Sequence, residues 1–271
     1  MKVNRIISAL LAAVFVVSLA ACAPMTITGS ADVEKSSFGS EKRFAVVSIA
    51  AMKTFHGEKG ITQLFKDADE IPGANTQPLI NALKPTIMKS LTNDKHINLV
   101  SEGKVLRSKA YKNLKEDERK MEVLFMSDEM NVAKSYKYVS DPKKYAQLAR
   151  DLNVDGVIGI HMTFTVASSK GGLSINGLSF GRKSYSPMAA ITAIAYDQQG
   201  NVIWEDSTVK KAEPGDKKAI FLMDFTDITN TNFKKMHPKA IEIGGKAVRV
   251  LLARLDDTIS GKGTSRIQSV K

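Results

Sequence analysis

The sequence predicts a mixed α/β (α+β) fold, a single compact domain in which helices pack on a mixed β-sheet. Three observations predict it. Short apolar runs rich in β-branched residues, such as Arg43-Phe-Ala-Val-Val-Ser-Ile49 and Val157–Val166, read as buried strands. Leu79, Leu83, Ile87 and Leu91 fall four apart, and a continuous apolar face runs from Ile241 to Ile259, so these segments read as helices. The two periodicities alternate in the order β-α-β-α-β-β-β-α. With 271 residues, 43% hydrophobic and 25% charged, the chain is neither a disordered tail nor a polytopic membrane protein. It is long enough to bury a core without disulfides. One Cys excludes an intrachain disulfide, a Cys-based zinc site and a CxxC redox pair.

The N-terminus reads as an address. Lys2 and Arg5 precede Ile6–Ala21, an apolar run of 16 residues broken only by Ser8 and Ser18. That is short of the ~20 that span a bilayer, and it fits an export signal over residues 1–21. Leu19-Ala-Ala-Cys22 then resembles the bacterial lipobox. In that motif the chain is cut before Cys22, which carries acyl chains on its sulfur and its new amine. Each buried CH₂ contributes ~0.8 kcal/mol, so several chains hold a protein stably. Ala23, in place of Asp, implies by the same resemblance delivery to the outer membrane, with the domain facing the periplasm. Residues 22–42 are small and polar and read as a lipidated N-terminus and flexible tether. The domain is expected over 43–260, with a polar tail at 261–271.

Within the domain, the first strand is expected at 43–49 and a Gly-containing loop at 53–75. Asn75 or Thr76 caps a helix that Pro85 should kink or split. His96–Val100 is a short strand, and 104–120 is helical in parts. Residues 121–139 carry no clear pattern. Ser140 or Asp141 with Pro142 starts a helix with Tyr145, Leu148, Ala149 and Leu152 on its inner face. Strands follow at 157–166, 188–196 and 202–206, the last two joined by the Asp197–Asn201 turn. Pro238 opens the last helix.

Four features together resemble a known group: Phe44–Ile49 leading to Asn75…Leu79…Leu83; Asn153-Val-Asp-Gly-Val-Ile-Gly-Ile160; Asp197, Gly200 and Val202-Ile-Trp204; and the closing helix at 239–259. The pattern is similar to bacterial periplasmic lipoproteins built on the domain of the curli secretion channel lipoprotein (CsgG). That group takes in lipoprotein activators of penicillin-binding proteins and, more distantly, the N-terminal domain of TolB. The resemblance implies a non-enzymatic, lipid-anchored envelope protein acting through protein partners or self-association. One form of that reading is an oligomeric secretion or assembly accessory; the alternative is an activator of a peptidoglycan synthase.

In the channel-type member the segment between the two long strands becomes a membrane hairpin. Here Leu173 and Ile175 alternate with Ser174 and Asn176, and Leu178 and Phe180 with Ser179, the alternation such a hairpin requires. These four apolar residues are candidate membrane or partner contacts; a mobile surface loop is the other reading. A second membrane hairpin would fall near 210–235, where the chain is Lys-rich and short of apolar residues.

The search for chemistry returns little. His56, His96, His161 and His237 have no second ligand at metal spacing, and no HExxH, G-x-S-x-G, P-loop or G-x-G-x-x-G occurs. The expectation is no catalytic residue, no metal and no cofactor. Asp67, Asp69 and Glu70 read as a solvated acidic loop, and Trp204 as a sheet-packing residue. The net charge of +11 concentrates in two Lys/Arg series, Lys104–Lys120 and Lys210–Lys239. No aromatic-interleaved basic motif points to nucleic acid. The surplus faces either anionic envelope polymers or water.

Overall fold

In the computed structural model, the described residues are 27–28, 31–57, 70–123, 126–170, 173–175, 178–180, 183–211, 221–222 and 230–262. The chain opens with two short strands, β1 (Ile27–Thr28) and β2 (Asp32–Val33), and one turn of 3-10 helix at Lys35–Ser37. Then come β3 (Gly39–Met52), β4 (Thr54–Gly57), β5 (Glu70–Asn75), α1 (Gln77–Thr92) and β6 (Ile97–Leu99). They are followed by α2 (Glu102–Arg107), α3 (Lys109–Asn113), β7 (Lys120–Val123), β8 (Met126–Val132) and α4 (Pro142–Asp151). The second half holds β9 (Gly156–Lys170), β10 (Leu173–Ile175), β11 (Leu178–Phe180), β12 (Lys183–Asp197), β13 (Val202–Lys211), β14 (Phe221–Leu222) and α5 (Asn230–Ile259).

The main sheet runs β1-β13-β12-β9-β3-β8-β7, mixed in direction. β3 is its spine. Its nine residues from Phe44 to Met52 are all buried, as expected of a strand covered on both faces, and it lies parallel to β9. β9 and β12 pair antiparallel over their full length, from Gly156↔Asp197 to Lys170↔Lys183.

Helices cover both faces. On one, Arg254 of α5 binds Asp206 of β13, and Gly244 of α5 lets the helix close on Leu83 of α1. On the other, Gly159 of β9 leaves room for the Tyr145 ring of α4; a Cβ there would overlap the Tyr145 hydroxyl, which donates to the Val139 carbonyl at 2.8 Å. Gly156 and Gly159 are three apart on one strand, so their Cβ directions face opposite sides, which is why one meets Phe44 and Ile203 and the other Tyr145.

The mixed α/β expectation holds, with several additions. The expected loop at 53–75 contains β4, which pairs with β5 and extends the sheet along β9. The unpatterned 121–139 stretch contains the β7–β8 hairpin. The segment that follows β8, through Tyr136, Tyr138 and Val139, is buried beside α4. Pro85 interrupts neither end of α1, whose buried face is Leu79, Ile80, Leu83, Ile87 and Leu91. The Asn75 side chain accepts the Gln77 amide at 2.9 Å, while the Thr76 hydroxyl turns back to the Met52 carbonyl. Pro238 does not open α5 but sits inside it, between buried Met236 and Ala240. A proline forfeits one helical hydrogen bond, and burial of its neighbours offsets that loss.

The N-terminal boundary also differs. Residues 31–42, expected as tether, are built into the fold. Val33 pairs with Trp204 and Asp32 with Glu205 on the outer edge of β13. Phe38 is buried, stacks on Phe44 at 5.1 Å and meets the Trp204 ring edge-on at 6.4 Å.

Candidate functional site

Two regions at opposite ends of the sheet carry the features that bear on function. The first is the end at which the chain enters. Ile27 pairs with Val209 and Thr28 with Thr208, antiparallel, so the chain joins the sheet from the Lys210–Lys211 end of β13. β13 stops at Lys211↔Met188. The β9–β12 ribbon continues beyond it for five more residue pairs to Lys170↔Lys183, a projection of about 17 Å. β14 pairs with Tyr185 and Ser184 on this projection. The ribbon's two strands lead in sequence to the β10–β11 hairpin, with Leu173 opposite Phe180, Ser174 opposite Ser179 and Ile175 opposite Leu178. The sequence-predicted contacts Leu173, Ile175, Leu178 and Phe180 are thus brought together in two apolar pairs flanking a serine pair. Cys22 lies outside the described residues. It lies five residues before Ile27, so covalent geometry limits its reach from the sheet to about 17 Å.

The second region is the surface of α2, α3 and α4. Of the acids that dilute this basic run, Glu102, Glu116 and Asp117 are half-buried and held by partners, while Glu118 is exposed. Glu116 accepts from the Arg119 guanidinium at 2.7 Å and from the Tyr138 amide at 2.7 Å. Burial raises the Glu116 carboxyl, but these partners outweigh it and hold the group below its ordinary range. Asp117 accepts from the Ser140 and Asp141 amides and pairs with Lys144. Burial raises it too, and Lys144 with the two amides brings it below its ordinary range. Glu102 pairs with Lys84 at 2.8 Å. Lys104, Arg107, Lys109, Lys112 and Lys115 stay exposed, and none is ion-paired among the described residues.

Between α3 and α4 this surface opens into a cleft of about 560 Å³. Its floor is Ala110, Leu114 and Leu148. Lys109, Asn113 and Lys115 form one wall, Gln147 and Asp151 the other. The backbone under it is pinned: the Lys137 ammonium donates to the Lys112 and Leu114 carbonyls at 2.8 and 2.6 Å, and the Lys144 ammonium to the Lys115 carbonyl at 2.8 Å. The Tyr111 hydroxyl bridges the Val47 carbonyl and the Lys137 amide at 3.0 and 2.7 Å.

The remaining candidates do not converge. His161 on β9 packs beside Tyr138, ring centroids 5.9 Å apart, and its Nε2 is sequestered without a hydrogen-bond partner among the described residues. Burial pushes its pKa down to about 4, against a smaller opposing effect of the Val139 backbone. His96 joins Asp256 at 2.8 Å, and with Lys95 it holds that carboxylate down to about 2, Lys95 being the larger cause. Trp204 is fully buried, as a sheet-packing residue. Asp67 and Asp69 lie outside the described residues. No group of three or more His, Cys, Asp or Glu close enough to share a metal ion occurs among the described residues. None of their helices is long and apolar enough to cross a membrane.

The sequence reading missed the docked segment around Phe38 and the α3–α4 cleft. The signal for the first was available, since Phe38 is the only aromatic residue between 23 and 41. The cleft had none, because Leu114 and Leu148 meet only in three dimensions.

No family model matches the chain, and no curated protein matches it. Among solved structures the chain is similar to the LpoB C-terminal domain from Salmonella enterica, at 12% identity and a TM-score of 0.33, over 65% of this chain and 84% of that one. A likeness of that size carries no argument about function.

Proposed function

We propose that this chain is a non-enzymatic, lipid-anchored protein of the bacterial outer membrane, facing the periplasm and acting through protein partners. The observation that carries the reading is the shared end of the sheet. The chain joins the sheet at the end from which the β9–β12 ribbon projects; measured from the Val209↔Ala190 level, Cys22 reaches at most about 17 Å, and the ribbon's last pair, Lys170↔Lys183, stands about 23 Å out. A lipid surface holding acyl chains on Cys22 would therefore meet the Leu173/Phe180 and Ile175/Leu178 pairs as well. Lys170 and Lys183, opposite each other at the base of the tip, stand where a headgroup layer would be.

Of the two finer readings, regulation of a peptidoglycan synthase fits better than a secretion channel. The channel reading asks for a second hairpin near 210–235, and the strand described there, β14, pairs back on β12. The regulator reading asks for a surface turned away from the anchor, and the α3–α4 cleft is one. Size in non-ionic detergent, with retention of a purified penicillin-binding protein, tests the choice. A monomer that retains the synthase supports the regulator; a ring of many copies with no such retention overturns it.

A further inference from the structure

The cleft has features that a merely solvated basic face does not require. Glu102, Glu116 and Asp117 are taken up by Lys84, Arg119, Lys144 and backbone amides, and the exposed Lys109 and Lys115 line the cleft, with Lys112 exposed between them on the same stretch. The carbonyls beneath are clamped by Lys137 and Lys144, so the floor is held before anything binds. Its position excludes the lipid surface that the proposed function assigns to the other end. The Arg150 guanidinium of α4 donates to the Gln198 carbonyl, and Ala146 faces Gly200, so α4 stands at the Asp197–Asn201 turn. Seven residues of β12, about 23 Å, separate that turn from Ala190, the level at which Ile27 joins the sheet through Val209.

We propose that the α3–α4 cleft docks an acidic polypeptide segment of a partner protein. An apolar side chain of that segment seats over Leu114 and Leu148, and its carboxylates face Lys109, Lys112 and Lys115. Asp151 on the opposite wall, tied to the Gln147 amide at 2.8 Å, sets the direction by repelling carboxylates from that side. This inference deepens the reading above, which supplies the anchor at the far end.

The test uses the full lipidated chain in non-ionic detergent and a fluorescent peptide of alternating Glu and Leu, followed by anisotropy. Binding is expected to fall more than ~10-fold in Lys109→Glu/Lys112→Glu/Lys115→Glu, and to weaken with salt. Leu114→Ser should cost about 5-fold, and Lys89→Glu on α1, exposed and remote, should change nothing. The substituted lysines are exposed, so an unchanged circular dichroism spectrum accompanies the loss. Equal affinity in the triple variant overturns the proposal. So does binding of anionic phosphatidylglycerol vesicles that depends on the same three lysines. Lipid mass is read on the same preparation. An unacylated chain that binds the peptide overturns the anchor and leaves the cleft standing; an acylated chain that does not bind overturns the cleft alone.

Discussion

Arg254 and Asp206 show what a single buried pair contributes. Both side chains are sealed from solvent, with Nε–Oδ2 at 2.8 Å and Nη2–Oδ1 at 3.1 Å, and the Ser207 amide adds a third bond to the carboxylate. Burial raises the Asp206 pKa and Arg254 opposes it. Arg254→Met strands a charge in the core and should cost about 3–5 kcal/mol in denaturant unfolding, while adding Asp206→Leu recovers most of the loss. Nothing in the sequence marked this pair; 48 residues separate its members, and each alone reads as surface. His161 was legible as a strand residue, packed or at an edge rather than a ligand. Folded, it stays neutral down to about 4, whereas the unfolded imidazole takes a proton near 6.5. Its contribution is therefore complete above about pH 6.5 and is lost as pH falls toward 4. His237, also lowered by burial and by Lys234, shares the direction. His161→Gln should shrink the drop in Tm between about pH 7.5 and about pH 4.5, as thermal melts at the two pH values will show. Asp256, held down to about 2, acts in a lower window, from about pH 4 downward, and leaves this one untouched.

Elements were legible where one periodicity ran unbroken. α4 was readable from Ser140-Asp141-Pro142 and its inner face; of the two cap candidates, Asp141 accepts the Lys143 amide at 2.9 Å. The Asp197–Asn201 turn was readable because Asp197 and Gly200 meet its demands: the carboxylate accepts the Gln199 and Asn201 amides, and Gly200 takes φ +87°. β7 and β8 were not, since Lys120, Glu122, Asp128 and Glu129 break any apolar pattern on a pair that ends the sheet. The packing of α4 on β9 depends on one missing Cβ. Gly159→Ala must displace Tyr145 from its bond to Val139, and should lower stability by about 2 kcal/mol or more in chemical melts, against little change for Gly103→Ala, whose neighbour is the movable end of Arg107. At the N-terminus, Phe38 in the core and the pairing of Val33 with Trp204 hold a segment that composition alone reads as tether. Phe38→Ala should cost about 3 kcal/mol and open residues 31–38 to limited proteolysis before the rest of the domain unfolds.

At the scale of the whole molecule the sheet has a direction. One end receives the chain from Cys22 and projects the apolar hairpin; the other carries the basic cleft. The sequence contained both ends, as a lipobox and as a Lys/Arg series, but not their opposition, which follows only from strand register. A short reach of about 17 Å would keep the hairpin end near the lipid and leave the cleft facing outward, so partners are expected from the periplasmic side. The claim on which this polarity rests is the modification of Cys22, and Cys22→Ser should release the protein from the membrane fraction. The most direct measurement is the intact mass and N-terminal peptide of the protein extracted from native membranes. The account predicts a chain that begins at Cys22 and carries the mass of its acyl groups; a chain that still begins at Met1 with a free Cys22 thiol would contradict it.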